Sequence, residues 1–444
     1  MTCLSKKRLN SAARSILLLT LASIIFIPMA LYAQQPLPEI KAGEVITLDR
    51  AIALALYRHP TILASRSTVE ASQSRIGQAQ ANYWPQIDFT SGYTRGNQGQ
   101  GGVNPVNLPG TSNYYTGNFS GTQNIYDFGR TSSQVKVQQF STESARSDLA
   151  NTREQIVLGL KQAYFGLLQA RRNRTVAEET TGQFQQHLDQ ARGFYEVGTK
   201  SKFDVTKAEV DLSNARLNQI RAENAVRTSK VSLDNAIGIS GAPDYSVEDV
   251  LSFQPYEITY DEALKQAFAN RPDLQAIISR KKAAEQSLRL AHASYYPTLT
   301  GSANLGWSGT DFPLGNGWSV GAAINVPLFT GFLSKYQVAE AKANLKVLDA
   351  NEESIRQSIT LNVQQALLSL QEAKERMSVA DLTVRQAAEN LDLANGRYTA
   401  GVGNPIELTD ALVNLSNART SYNQALYDYK IAQAAMDKAI GVKY

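Results

Sequence analysis

The protein has 444 residues, 43% of them hydrophobic and 19% charged, with 44 Lys+Arg against 40 Asp+Glu. Four basic residues (Lys6, Lys7, Arg8 and Arg14) and no acidic ones fall in the first 33 positions, so the remainder balances at 40 against 40. That neutrality gives no charge argument for a nucleic-acid or anionic-membrane partner, and the only cysteine, Cys3, lies in the same leading stretch, which excludes disulfides and thiol catalysis from the rest.

Residues 1–33 have the form of a cleaved secretory signal: a basic start, apolar residues 15–27, then Pro28 and the small-residue end Ala30-Leu31-Tyr32-Ala33. Residues 34–45 are read as an N-terminal lead. No later run reaches the ~18 apolar residues of a spanning helix, so membrane insertion would have to be by β-strands.

From there the chain is written twice. Ile46-Thr47-x-Asp49-x-Ala51 recurs as Ile258-Thr259-x-Asp261-x-Ala263, an offset of 212 that also pairs Pro60 with Pro272, Tyr83 with Tyr295 and Pro85 with Pro297. The offset then becomes 203 and pairs Ile125-Tyr126 with Leu328-Phe329, Tyr195-x-x-Gly198 with Tyr398-x-x-Gly401, and Ala236-Ile237-Gly238 with Ala439-Ile440-Gly441. The nine-residue difference falls within residues 96–117, rich in Gly, Asn and Pro, and marks an exposed loop. Residues 46–241 are therefore read as repeat 1, 242–257 as a linker and 258–444 as repeat 2, overruling the soft prior of about three domains from length.

Within each repeat, Pro60 and Pro272 stand where a helix begins, and Pro85 and Pro297 end helices and open strands. Strands are expected at about 85–95 and 115–126, and again at 298–307 and 318–328. Ile87, Phe89 and Tyr93 alternate with Gln86, Asp88, Thr90 and Thr94; Leu299, Ala303, Leu305 and Trp307 alternate with Thr298, Thr300, Ser302 and Asn304. Segments of about ten alternating residues with aromatics at their ends suit tilted membrane-spanning strands.

Residues 111–242 and 328–404 contain no proline. In the second stretch Ile359, Val363, Ala366, Leu370, Ala373, Met377, Ala380, Val384, Ala387, Leu391, Ala394 and Tyr398 form a heptad seam, which residues 408–439 continue. In the first copy Arg174 and Thr181 interrupt it. A helix from about 131 to 197 would be ~100 Å long, a coiled-coil shaft and not part of a globular core. Four strands cannot close a barrel, and open edges are not tolerated in lipid, so several chains must share one. Three chains would give twelve strands and room for a pore.

The order and duplication of these motifs resemble the TolC-like outer membrane efflux proteins (outer membrane factors), over about residues 46–442. The marks are the Ile46-Thr47-Leu48-Asp49-Arg50-Ala51-Ile52 start, the His59-Pro60 and Arg271-Pro272 steps, Tyr83-Trp84-Pro85 and Tyr295-Tyr296-Pro297 entering strands, and Ile125-Tyr126-Asp127-Phe128-Gly129-Arg130 leaving them. The resemblance implies a mainly α fold with a membrane β-barrel. It implies a homotrimer with a twelve-stranded barrel and a helical tunnel in the Gram-negative outer membrane. It also implies a periplasmic adaptor, and an inner-membrane transporter of the ABC, RND or MFS class. The function expected is an exit duct for efflux or type I secretion, without cofactor or nucleic acid. A non-transporting coiled-coil structural or adhesin-like surface protein is the rival; it would need an exposed passenger or repeat array, and every segment here is already assigned.

No catalytic constellation is legible: His59, His187 and His292 are scattered, and Asp127-Phe128-Gly129 lacks the other motifs of a kinase. The helical hairpin tips Val197-Gly198-Thr199 and Ala400-Gly401-Val402 place glycines where the chain reverses. By the resemblance they would meet the adaptor. Asp189 and Asp392 are equivalent under the 203 offset and, with Glu389, would form an acidic ring at the closing end of a trimer.

Overall fold

The computed structural model describes residues 40–96, 112–241 and 243–444. The expected signal at 1–33, residues 34–39 of the lead and most of the longer loop in repeat 1 lie outside the described residues. In chain order the elements are β1 (Val45–Ile46), α1 (Leu48–Arg58), α2 (Pro60–Gln80), β2 (Gln86–Gly96), β3 (Ser112–Tyr126), α3 (Arg130–Glu196), α4 (Lys202–Ile237), β4 (Ser246–Val247), α5 (Tyr260–Asn270), α6 (Pro272–Ala293), β5 (Thr298–Gly309), β6 (Gly315–Asn325), α7 (Leu333–Thr399) and α8 (Pro405–Ala439). Strand β6 begins before position 318 and stops at Asn325, short of 328, because Pro327 has no N–H to give a ladder.

The helix boundaries follow local chemistry. Thr47 caps α1 by accepting from Arg50 N, and the His59 side chain caps α2 by accepting from Thr61 N, with Pro60 at its first position. Helices α3 and α7 are each 67 residues, ~100 Å at the usual rise. They form the spines. Toward the sheet, α3 packs against α2 and α6, and α6 packs against α7; toward the tips, α3 packs against α4 and α8, and α8 against α7.

Every residue of the α7 seam from Ile359 to Tyr398 is buried or half-buried. Ile359, Val363 and Leu370 join Leu274, Tyr429 and Met436 in one core. Helix α8 buries a second stripe, including Leu412 and Leu426, because it is covered by α3 as well as α7. Helix α3 departs further from a single seam: Val157, Leu160, Tyr164, Phe165, Leu167 and Leu168 are all buried, since it is surrounded on several sides.

The repeated Ala-Ile-Gly ends and X-Pro steps meet in space. Gly238 has φ +82° and a Cβ there would stand 2.9 Å from His59 Cα; Gly441 has φ +73° and its Cβ would stand 3.0 Å from Arg271 N. Both the left-handed backbone and the close approach require glycine. The segment expected as a linker, 242–257, is packed and not loose. Its β4 pairs in parallel with β1, Leu251 is buried, and the Tyr164 hydroxyl donates to Ile46 O and Glu248 O at 3.0 and 2.9 Å.

Candidate functional site: sheet, neck and hairpin tips

The sheet runs β2-β3-β5-β6, antiparallel throughout. Its register sets Phe89 opposite Phe119, Phe119 opposite Leu305 and Leu305 opposite Trp318. Residues two apart share a face, so Ile87, Tyr93, Ala303, Trp307, Val320 and Ile324 lie on that same side. The other side carries Thr90, Asn118, Ser120, Thr122, Ser302, Asn304 and Ser319, with Asp88 its single charge. Ring contacts bind the apolar side across strands: Phe89–Phe119 at 4.6 Å and Tyr93–Tyr115 at 5.2 Å. Both faces are exposed in one chain, and β2 and β6 have open edges.

At the helix end of the strands a belt of exposed aromatics gathers: Tyr83, Trp84, Tyr295, Tyr296, Phe329 and Phe332. Each strand-to-helix turn uses two consecutive residues with positive φ. They are Phe128 and Gly129 in the first copy and Gly331 and Phe332 in the second, with the phenylalanine and glycine exchanged. Phe128 stacks on Tyr296 at 5.3 Å, contact that offsets part of the left-handed strain. Asp127 organises the first turn, accepting from Gly129 N and Thr131 N at 3.1 and 2.8 Å.

At the opposite end, Gly198 (φ +76°) and Gly401 (φ +77°) reverse the two hairpins. Thr199 N donates to Phe194 O and Val402 N to Arg397 O, satisfying carbonyls at the helix ends. Ser201 and Asp204 form a capping box on α4, and Asn404 caps α8. Val197 and Val402 are each 72% exposed at the extremities.

Phe203 and Ile406, equivalent under the 203 offset, add a second exposed apolar pair, which repeat comparison could have found. Gly403 carries no repeat signal, since the 203 offset sets it against Lys200; a Cβ there would stand 2.7 Å from Tyr398 N.

The structure brings the two tips together. Leu188, Ala191, Leu212, Tyr398 and Leu408 share one core, and Lys200 Nζ lies 5.6 Å from the Tyr398 ring. His187 is buried here, 5.1 Å from Tyr398, and burial pushes its pKa down against the opposing pull of Asp211. Farther along, α3 meets α8 through polar pairs: Gln169–Gln424 at 2.6 Å, Asn173–Asn423 at 2.9 Å and Thr180–Ser416 at 3.2 Å.

The three acidic residues are exposed and are not linked to one another within a chain. Asp189 accepts from Gln185 Nε2 at 3.1 Å, while Glu389 and Asp392 have no hydrogen-bond or ion-pair partner among the described residues. Glu389 lies on the same exposed heptad series of α7 as Leu361, Leu368 and Leu382, a series that Glu375 interrupts. Among the described residues no group of three His, Cys, Asp or Glu could hold a metal ion.

A two-faced sheet ringed by aromatics and carried on helices ~100 Å long defines a subunit of an outer-membrane channel. The outer membrane efflux protein model matches residues 51–239 and 263–442. The outer membrane protein TolC of Escherichia coli strain K12 is 24% identical over 413 residues, covering 87% of this chain and 80% of that protein. Protein CyaE of Bordetella pertussis is 25% identical over 385 residues, 84% of this chain and 79% of its own. The same fold occurs in the Campylobacter jejuni CmeC outer membrane channel, with TM-score 0.79, 17% identity and coverage of 89% and 85%. The chain belongs to the outer membrane efflux protein family: it is an outer-membrane transport channel with a helical extension into the periplasm.

Proposed function

We propose that three copies of this chain close a twelve-stranded barrel whose helices continue as a periplasmic tunnel, the exit duct of a tripartite efflux or type I secretion system. The observation that carries this reading is the four-stranded sheet, apolar on one side and polar on the other, with both edges unpaired. In lipid those edges must find partners, and three chains supply a ring wide enough for a water-filled lumen. Unpartnered stripes on α4 (Phe203, Val210, Leu217) and α7 (Leu361, Leu368, Leu382) support side-by-side packing of copies. The rival reading, a coiled-coil surface protein, leaves the polar sheet face without a purpose. Heat-resistant trimers in outer-membrane fractions with conductance in planar bilayers are the expected result; monomers without conductance would refute it.

Val197-Gly198-Thr199 and Ala400-Gly401-Val402 are the adaptor-docking surface in this reading, supported by the apolar residues that both tips expose. Gly401→Glu should abolish export while leaving the trimer in the membrane. Asp189, Glu389 and Asp392 form the acidic aperture, with Glu389 between copies on the α7 stripe. The pair Asp189→Asn/Asp392→Asn should lower cation preference in single-channel recordings, and unchanged selectivity rejects the ring. An inner-membrane transporter of the ABC, RND or MFS class supplies the cargo, and the aromatic belt meets outer-membrane lipid.

A further inference from the structure

We propose that the neck between sheet and helices holds a binding site for small organic anions bearing carboxylate or phosphate groups, formed by Arg75 and Arg130. A cavity of about 670 Å³ lies there between α2, the turn after β3, α3 and α6. Beside the two arginines its wall is mostly amides and hydroxyls, among them Asn82, Asn124, Gln134 and Thr298, with Ala79 and Leu290 its apolar part. Asn124 and Thr298 belong to the polar side of the sheet, so the cavity opens on the side that the barrel would enclose; in this respect the inference rests on the proposed trimer.

The charges are free to act on a solute. Arg130 Nη2 donates to Ala293 O at 3.2 Å, which anchors the guanidinium, and its other side-chain donors have no partner among the described residues. Arg75 has no hydrogen bond or ion pair among them. The one acid in the wall, Asp127, spends both carboxylate oxygens on its own turn, on Gly129 N, Thr131 N and the Thr131 hydroxyl. A planar guanidinium pairs two N–H groups with a carboxylate or phosphate, so two of them facing one open cavity select anions over neutral solutes.

The duplication separates function from folding need. The 212 offset sets Arg75 against Ser287, and the 203 offset sets Arg130 against Leu333. The second copy builds the same junction, with two positive-φ residues leading into a 67-residue helix, without either arginine. Neither charge is required by the fold. Three copies would place six guanidiniums around the neck, where every solute must pass.

The test exchanges each arginine for its counterpart, in the intact trimer in planar bilayers. Citrate added to one side should reduce the single-channel current, and Arg75→Ser/Arg130→Leu should need at least about tenfold more citrate for the same reduction, as expected for lost charged hydrogen bonds. Tetraethylammonium should act on both alike. Should the double variant fail to assemble, Arg75→Ser alone, on α2 and outside the turn itself, should still need about threefold more. Equal citrate sensitivity in a conducting variant overturns the anion site. A wild-type protein that forms no channel overturns the barrel instead, so the two failures are distinguishable.

Discussion

Glu154 offers the sharpest test of the interior. It lies on α3, 6% exposed, near the Arg271–Asp273 pair and Lys438, and burial is the main cause that raises its pKa from 4.5 to about 7. The folded-state value lies above the unfolded one, so the carboxyl folds more favourably protonated. Its contribution is therefore full below about pH 4.5 and is lost as pH rises through about 7. At ~1.4 kcal/mol per pH unit, that interval corresponds to about 3 kcal/mol per chain. Glu154→Gln keeps the shape and removes the titration, so it should stabilise the protein at pH 8 by roughly this amount and leave it nearly unchanged at pH 4.5. Denaturant unfolding of the detergent-solubilised protein across pH 4–8 measures it. If wild type and Glu154→Gln keep parallel pH profiles, Glu154 is already ionised in the folded state and the reasoning fails.

Three further outcomes are expected. Gly403→Ala places a Cβ 2.7 Å from Tyr398 N and should open the second tip to hydrogen exchange, whereas Gly198→Ala meets no atom within 4 Å and should cost only the left-handed penalty, ~1 kcal/mol. Tyr164→Phe takes the hydroxyl from Glu248 O, while Ile46 O keeps Glu248 N as a donor at 3.2 Å, and should lower stability by about 1–3 kcal/mol, read from the denaturation midpoint. Phe119→Arg, on the apolar side of the sheet, should cost about 2–4 kcal/mol in the membrane and reduce assembled protein. Ser120→Arg, next to it on the polar side, should assemble normally and alter conductance; equal loss for both would contradict the assigned faces.

Periodicity carried a large part of this protein in plain view. The alternation in residues 86–94 and 298–307 defines a two-faced strand because side chains reverse at every residue. The seam from Ile359 to Tyr398 defines a buried stripe because 3.5-residue spacing keeps one side of a helix toward its partner. The hairpin tips were legible from repeated Tyr-x-x-Gly, since reversal there requires a left-handed residue. What periodicity could not show was which elements would meet. The second stripe on α8 and the many-sided burial of α3 arise because those helices are central, which is a property of the packing and not of their own spacing.

Other contacts join residues far apart in the chain, and no local pattern encodes such distances. Gly238 against His59, Tyr164 against Glu248, and the polar pairs between α3 and α8 are of this kind. The neck cavity is another: Arg75 and Arg130 stand in different segments, and the packing of α2 against the start of α3 brings them to one wall. The sequence by itself determined the two-faced strands, the long helices and their duplication, because each is a rule of residue spacing. The tertiary structure decided the sheet register that gathers the apolar residues onto one side, the partners of the central helices and the charged neck, because each depends on where distant segments come to rest.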